Sequence, residues 1–84
     1  MFYVYVLRSE ADGDLYIGST NDLRRRFREH QEGKSFSTSF RRPFRLAYYE
    51  AFSDETEARD REWSLKRRGQ SLRHLKARIA RSIA

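Results

Sequence analysis

The first eighteen residues carry the pattern that most restricts how this chain can fold. Tyr3 to Arg8 alternates aromatic and β-branched side chains, as expected of a strand with two different faces. Ala11 to Asp14 is made of turn-forming residues, and Leu15 to Gly18 then resumes a short apolar segment. Two strands with so short a connection pair side by side, so the chain is predicted to begin with an antiparallel hairpin.

Helical periodicity and strand alternation divide the rest of the chain into four further elements. A helix from about Asp22 to Glu32 precedes a polar loop at 33–42 and a strand from Phe44 to Phe52; a second helix, capped by Ser53, reaches about Arg68, and a last helix starts at Ser71. The order ββαβαα predicts an α+β fold, with a small three-stranded, mainly antiparallel sheet flanked by helices. A chain of 84 residues has room for one domain, residues 1–84.

The core of so short a chain must rely on its aromatic residues. Only about 60% of the unfolded surface is buried at this length, and six Phe, five Tyr and one Trp supply much of the apolar area. The absence of cysteine excludes a disulfide framework and a thiolate zinc site. Because we find neither a secretion signal nor an apolar segment that could span a bilayer, we expect a cytoplasmic protein with no membrane partner.

Positive charge is concentrated in the last quarter of the chain. The formal net charge is +6, and no acidic residue follows Glu62, whereas seven basic residues do: Lys66, Arg67, Arg68, Arg73, Lys76, Arg78 and Arg81. Such a surface binds polyanions through phosphate contacts and counterion release, so nucleic acid is the expected partner. A solvated basic helix and a surface for anionic lipid are the alternatives that charge alone leaves open.

Two polar residues lie on the apolar side of the first predicted helix. At about 100° per residue, Arg26 and His30 share one arc with the apolar residues of that helix. An inward arginine is costly unless it meets an anion, so Arg26 is a candidate phosphate ligand; an internal salt bridge to Glu50 or Glu62 is the alternative. His30 is either a core histidine with satisfied hydrogen bonds or a group that handles a proton beside a scissile phosphate.

Glu62 is a similar exception on the second long helix. It lies between Ala58 and Leu65 on a single arc, where an apolar residue is expected. A carboxylate in that place needs a cation, either a basic side chain or a metal ion. Mg²⁺ commonly takes only one or two carboxylates and completes its shell with water and substrate phosphate, so one inward Glu is enough.

The hairpin tyrosines complete a pattern that resembles the GIY-YIG nuclease superfamily. The first signature corresponds to Tyr3-Val4-Tyr5 and the second to Tyr16-Ile17-Gly18, so that Tyr16 comes eleven positions after Tyr5. The helix after the second signature carries Arg26 and, four residues later, His30, and the later helix carries Glu62. The chain looks closest to the small stand-alone bacterial members related to the excision-repair incision subunit. It departs from the pattern in having Tyr3 in place of glycine and no asparagine late in the chain.

The resemblance implies roles for these residues. Glu62 would hold a single divalent cation, Mg²⁺ or Mn²⁺, and Arg26 would stabilise charge on the scissile phosphate. Tyr5 or Tyr16 would take the proton of the attacking water, and His30 would hydrogen-bond the phosphate or a tyrosine. We expect nucleic acid to be bound by a further set of polar and basic residues: Ser19, Lys34, Thr38, Arg41, Arg42, Lys66 and Arg67.

The function expected from the sequence is therefore that of a metal-dependent endonuclease acting on DNA, in repair or recombination. The alternative is a nucleic-acid-binding accessory module with weak or no nuclease activity, since the basic residues support either. A third possibility uses the aromatic surface against a protein partner alone, and it predicts no salt-sensitive affinity for DNA. We expect a monomer or weak homodimer that works alone or with a protein partner for specificity.

Overall fold

Three antiparallel strands form one sheet in which the first strand is central. The computed structural model describes residues 1–84, and its strands are β1 (Phe2–Ser9), β2 (Leu15–Thr20) and β3 (Phe44–Phe52), in the order β2-β1-β3. Gly13, with φ of 78°, lies in the turn that returns β2 along one edge of β1, and β3 pairs with the other edge. The predicted α+β fold and antiparallel hairpin are confirmed.

Five helical segments pack on or beside this sheet. They are α1 (Leu23–Gln31), a 3₁₀ helix (Phe36–Arg41), α2 (Glu55–Arg67), α3 (Gly69–Arg78) and α4 (Ala80–Ile83). The first helix begins and ends as predicted: Asp22 accepts a hydrogen bond from the amide of Arg25, and Gly33 follows with φ of 78°. None of these helices combines the length and the apolar character needed to cross a bilayer.

Three details of the helices differ from the sequence prediction. The polar loop expected at 33–42 contains the 3₁₀ helix, because its hydroxyls and amides bond to carbonyls three residues earlier, as Ser39 Oγ does to Phe36. Asp54 rather than Ser53 caps α2, since its carboxylate reaches the amide of Glu57. The last predicted helix begins earlier, at Gly69, and is divided between α3 and α4, because Ile79 has non-helical dihedral angles.

Alternate residues of the central strand contribute to two separate cores, one on each face of the sheet. Val4 and Val6 pack with Ile17 against apolar residues of α2 and α3, namely Ala58, Leu65 and Leu75. Tyr5 and Leu7 face the other way, towards Phe44 and the apolar residues of α1. The strand period of two residues explains this division, and it places Tyr5 on the face that α1 covers.

Gly18 allows the ring of Tyr5 to lie directly over the backbone of the neighbouring strand. The two residues are opposite each other in the β1–β2 pair. A Cβ atom added at Gly18 would lie 2.6 Å from Cζ of Tyr5, which is closer than a real Cβ contact. Glycine is therefore required at this position by the placement of the phenol.

We predict that Gly18→Ala lowers the free energy of unfolding by about 1–3 kcal/mol, because the added methyl group must displace the buried Tyr5 ring. Urea unfolding of wild type and variant would measure the difference.

Gly69→Ala is the matched control for this substitution. A Cβ at Gly69 would meet nothing within 4 Å, so this variant is expected to unfold at the same urea concentration as wild type or slightly higher. Equal stability of Gly18→Ala and wild type would contradict the close approach of Tyr5.

Candidate active site

A buried chain of three polar side chains runs through the face of the sheet that α1 covers. The hydroxyl of Tyr5 lies 2.9 Å from Nε2 of His30, and Nδ1 of His30 lies 2.8 Å from Oγ1 of Thr38. All three residues are at most 1% exposed, and they come from β1, α1 and the 3₁₀ helix. Three separate elements are thus joined by hydrogen bonds that water cannot reach.

Tyr16 packs on this buried chain but stays partly exposed. Its ring centroid is 5.1 Å from that of His30 and 6.4 Å from that of Tyr5. Phe44 packs on the imidazole with a centroid distance of 5.9 Å, in an edge-to-face arrangement. Of the two signature tyrosines, Tyr16 is the one whose side chain a substrate can approach.

Burial sets the protonation states of Tyr5 and His30. Desolvation raises the pKa of Tyr5 to about 12, although the neighbouring positive charge of Arg26 opposes this shift. Desolvation also lowers the pKa of His30, and the charge of Arg26 lowers it further. At neutral pH the phenol of Tyr5 therefore keeps its proton and the imidazole of His30 is neutral.

Arg26 lies beside these residues with its guanidinium at the surface. Its side chain is 33% exposed, Nη1 donates to Glu29 at 3.0 Å, and Nη2 donates to the hydroxyl of Ser35 at 3.4 Å. The salt bridge to Glu50 or Glu62 that the sequence left open is not formed, because Glu50 is held by Arg61. An exposed pair within one helix contributes little stability, so the guanidinium remains available to an anion.

Glu62 lies near the middle of α2, against β2, an edge strand of the sheet. The hydroxyl of Ser19 donates to Oε1 at 2.7 Å, and Nζ of Lys66 donates to Oε2 at 2.8 Å. Burial opposes ionisation, but the hydrogen bonds from Lys66 and Ser19 outweigh it and lower the pKa of Glu62. The carboxylate is therefore ionised, and it makes no hydrogen bond to either signature tyrosine or to Arg26.

The surroundings of Glu62 fit a cation that needs few protein ligands. No group of three or more His, Asp or Glu residues converges anywhere in the chain, which excludes a site built wholly from protein ligands. The carboxylate opens instead into a surface cavity of about 340 Å³ with otherwise mainly basic and polar walls: Ser19, Arg59, Trp63, Lys66 and Arg67. One ionised carboxylate beside open space suits Mg²⁺, which keeps several waters and takes phosphate oxygens as further ligands.

The largest cavity is elsewhere and contains none of the candidate catalytic residues. It measures about 450 Å³ and lies between α1 and the sheet, with a mainly apolar lining that includes Tyr3, Phe27, Leu46 and Tyr49. The cavity is large because α1 covers only part of this face of the sheet.

The residues expected to bind nucleic acid fall into two groups. Ser19, Lys66 and Arg67 line the cavity at Glu62. The others belong to the segment around the 3₁₀ helix, where Lys34 pairs with Glu32, Arg41 with Asp12, and Nε of Arg42 with the carbonyl of Ser39.

Thr38 is placed differently from the exposed ligand that the sequence suggested. It is 1% exposed and its hydroxyl contacts His30, a contact that sequence reasoning missed. In a segment expected to be a loop, no periodicity indicated which hydroxyl points inward. Ser35, which accepts a hydrogen bond from Arg26, was missed for the same reason.

Comparison with known proteins identifies the family of this chain. A family model described as the GIY-YIG catalytic domain matches residues 1–76. A UPF0213 protein of Bacillus pumilus is 46% identical over 65 residues, which cover 76% of this chain and 65% of that protein. A UPF0213 protein of Lacticaseibacillus paracasei is 42% identical over 66 residues, covering 77% of this chain and 73% of that protein.

A solved structure has the same fold. It is the solution NMR structure of a UPF0213 protein from Bacillus halodurans, whose sequence is 39% identical to this chain. The superposition has a TM-score of 0.53 and includes 90% of this chain and 86% of the Bacillus halodurans chain. A catalytic domain of a nuclease family is thus the class that fold, site and matches define. The chain belongs to the GIY-YIG family, and the relatives it matches are small bacterial UPF0213 proteins.

The burial of His30 predicts how the stability of the protein depends on pH. Its pKa in the folded protein is below the ordinary 6.5, so as pH falls through that value the unfolded chain binds a proton more readily than the folded one. The stability that comes from keeping His30 neutral is fully present above pH 6.5 and is lost as the pH falls below that value. We predict that the free energy of unfolding falls more steeply from about pH 7 to about pH 5 in wild type than in His30→Gln, measured by urea unfolding.

His74→Gln is the control, because it removes the other histidine, which is exposed on α3. It should keep the slope of the wild type. If the slope of His30→Gln equals that of wild type, His30 is not held neutral by burial.

Proposed function

We propose that this chain is a divalent-metal-dependent endonuclease that hydrolyses phosphodiester bonds in DNA. The observation that carries the proposal is that Tyr16 and Arg26 are partly exposed beside the fully buried Tyr5–His30 pair, while the ionised carboxylate of Glu62 is held on Ser19 of the adjacent strand β2. A phenol can act as a general base, a guanidinium can stabilise charge on a phosphate, and a carboxylate can hold a metal ion, and these three roles together suffice for hydrolysis of a phosphodiester. Membership of a nuclease family supports the same reaction.

Tyr16 is the better candidate for the general base. The hydroxyl of Tyr5 is buried and bonded to His30, and its pKa of about 12 leaves it protonated, so it cannot take a proton from a water at the surface. Tyr16 presents its phenol at the surface beside these residues. An ordinary phenol is a weak base near neutral pH, so the reaction also needs positive charge close to the attacking water.

Arg26 and Glu62 supply the charges that the reaction needs. The guanidinium of Arg26 can exchange its contact with Glu29 for the scissile phosphate, where a positive charge stabilises the charge that develops. Glu62 is the residue that would hold the cation, with Ser19 fixing one of its oxygens. When bound, Mg²⁺ or Mn²⁺ would supply Lewis acidity and stabilise the leaving oxygen. Lys66, released from Glu62, would turn to a phosphate of the DNA.

The second candidate function is a nucleic-acid-binding module with weak or no nuclease activity. The observation in its favour is that both oxygens of Glu62 are already bonded, to Ser19 and Lys66, as they would be in a purely structural carboxylate. The basic cavity around Glu62 suits either function, because phosphate contacts are needed for both. A role in repair or recombination, and a protein partner for specificity, remain predictions.

The decisive experiment is cleavage of labelled DNA by Glu62→Gln protein. We expect wild type to cleave single-stranded, duplex, nicked or branched DNA with Mg²⁺ or Mn²⁺ and not with EDTA. In Glu62→Gln the rate should fall by about 100-fold or more, because the ligand for the cation is lost while the shape of the side chain is kept.

Glu57→Gln is the control for this experiment, since it makes the same change of charge in the first turn of the same helix, where the side chain is exposed. Cleavage by Glu57→Gln should match wild type. DNA binding without cleavage in wild type, unchanged in Glu62→Gln, would favour the accessory module.

A second prediction separates the two tyrosines. Tyr16→Phe should lower kcat by about 100-fold or more while DNA affinity stays near that of wild type, because only proton transfer is lost. Tyr5→Phe should lose less activity, since the buried Tyr5 hydroxyl holds His30 in place and takes no proton from the attacking water. Single-turnover cleavage would measure both, with Tyr49→Phe, a half-exposed phenol outside the site, as the control. Full activity of Tyr16→Phe beside an inactive Tyr5→Phe would assign the base to Tyr5.

A further inference from the structure

The hydroxyl of Thr38 has two neighbours of different hydrogen-bonding character. Its Oγ1 lies 3.4 Å from the carbonyl oxygen of Ser35 and 2.8 Å from Nδ1 of His30. A carbonyl oxygen can only accept, whereas a neutral imidazole nitrogen either donates or accepts according to its tautomer. If the hydroxyl of Thr38 donates its single proton in a hydrogen bond to the carbonyl of Ser35, its oxygen can only accept a hydrogen bond from an N–H group at Nδ1.

The other end of the imidazole agrees with this assignment. Nε2 of His30 lies 2.9 Å from the hydroxyl of Tyr5. A phenol is a much stronger acid than a neutral imidazole N–H group, so the favoured direction is from the Tyr5 hydroxyl to an unprotonated Nε2. Both ends therefore favour the same tautomer, with the proton on Nδ1.

We propose that Thr38 is a positioning residue that fixes His30 in the Nδ1–H tautomer, and thereby makes Tyr5 a hydrogen-bond donor to His30. The inference rests on the proposed function for its effect on catalysis. Its structural part concerns only three side chains and can be tested without any activity.

The direction of the Tyr5 hydroxyl matters because of its other neighbour. With its proton committed to His30, the phenol oxygen presents only lone pairs to the guanidinium of Arg26, whose charge acts on Tyr5. In the opposite tautomer Nε2 would donate to Tyr5, and the phenol proton would point at a positively charged group. The tautomer that Thr38 selects thus keeps Arg26 at the edge of the site.

The same short segment supports Arg26 directly. The hydroxyl of Ser35 accepts a hydrogen bond from Nη2 of Arg26, and the carbonyl of Ser35 accepts the amide and the hydroxyl of Thr38. One turn of backbone, residues 35–38, therefore holds both polar side chains that α1 turns towards the site. This gives the 3₁₀ helix a function that its position outside the sheet does not suggest.

The test compares wild type, Thr38→Val, Thr38→Ser and Ser39→Ala. Valine has nearly the shape of threonine but cannot accept a hydrogen bond from Nδ1 of His30, whereas serine keeps the hydroxyl that does. Ser39→Ala removes a hydroxyl from the same 3₁₀ helix, one that bonds to Phe36 and not to His30. Nitrogen-15 NMR of the imidazole rings distinguishes a protonated from an unprotonated ring nitrogen, and cleavage of DNA gives kcat and KM.

We expect wild type, Thr38→Ser and Ser39→Ala to show His30 protonated on Nδ1 and unprotonated on Nε2. In Thr38→Val a buried Nδ1–H group would have no acceptor, so the Nε2–H form should appear beside the Nδ1–H form, and kcat should fall on the order of 10-fold or more with little change in KM.

Two results would overturn the inference: Nε2–H in wild type, which needs no variant to fold, or an unchanged tautomer in Thr38→Val. Absence of cleavage by wild type would count against the proposed function alone, since the tautomer of His30 is still read from the spectra.

Discussion

The packing of Tyr5 on Gly18 is the contact on which the rest of the site depends. Tyr5 belongs to the central strand, so its ring can lie over a neighbouring strand only where that strand has no side chain, and Gly18 provides the gap. From there the hydroxyl reaches His30 on α1, and His30 reaches Thr38. One close contact within the sheet thereby sets the position of a helix and of a second, shorter helix, and it does so with hydrogen bonds that are fully buried.

Burial and exposure divide the polar residues into two classes with different tasks. Tyr5, His30 and Thr38 are buried and uncharged at neutral pH, so they hold geometry and cost little as long as each is hydrogen-bonded. Arg26 and Glu62 are charged and partly exposed, and their present partners, Glu29 and Lys66, are side chains that can move away. Buried neutral residues that hold geometry, with charged residues that can change partners, are what the proposed phosphate-binding site would use.

The sequence predicted most of the fold because its strands and helices each carry a clear period. It also placed Arg26 and His30 on the same side of α1; His30 is buried there, whereas the guanidinium of Arg26 reaches the surface. It did not predict Thr38 or Ser35 as supports, because the 3₁₀ helix is short and polar throughout and has no apolar face to give its direction. The pairing of Glu62 with Lys66 could have been predicted, because a Glu and a Lys four residues later lie side by side on a helix.

The pairing of Glu62 with Lys66 also bears on the order of events in the proposed reaction. A cation arriving at Glu62 would compete with an ammonium group that bonds at 2.8 Å, and the lining of the cavity offers no second carboxylate to replace that loss. DNA changes this balance in two ways, because its phosphates attract Lys66 away and offer oxygens to the cation. Binding of the cation and of DNA should therefore assist each other, since each removes a cost that the other would meet alone. If the proposed reaction takes place at Glu62, a single carboxylate with a lysine partner would hold a metal ion only when substrate is present.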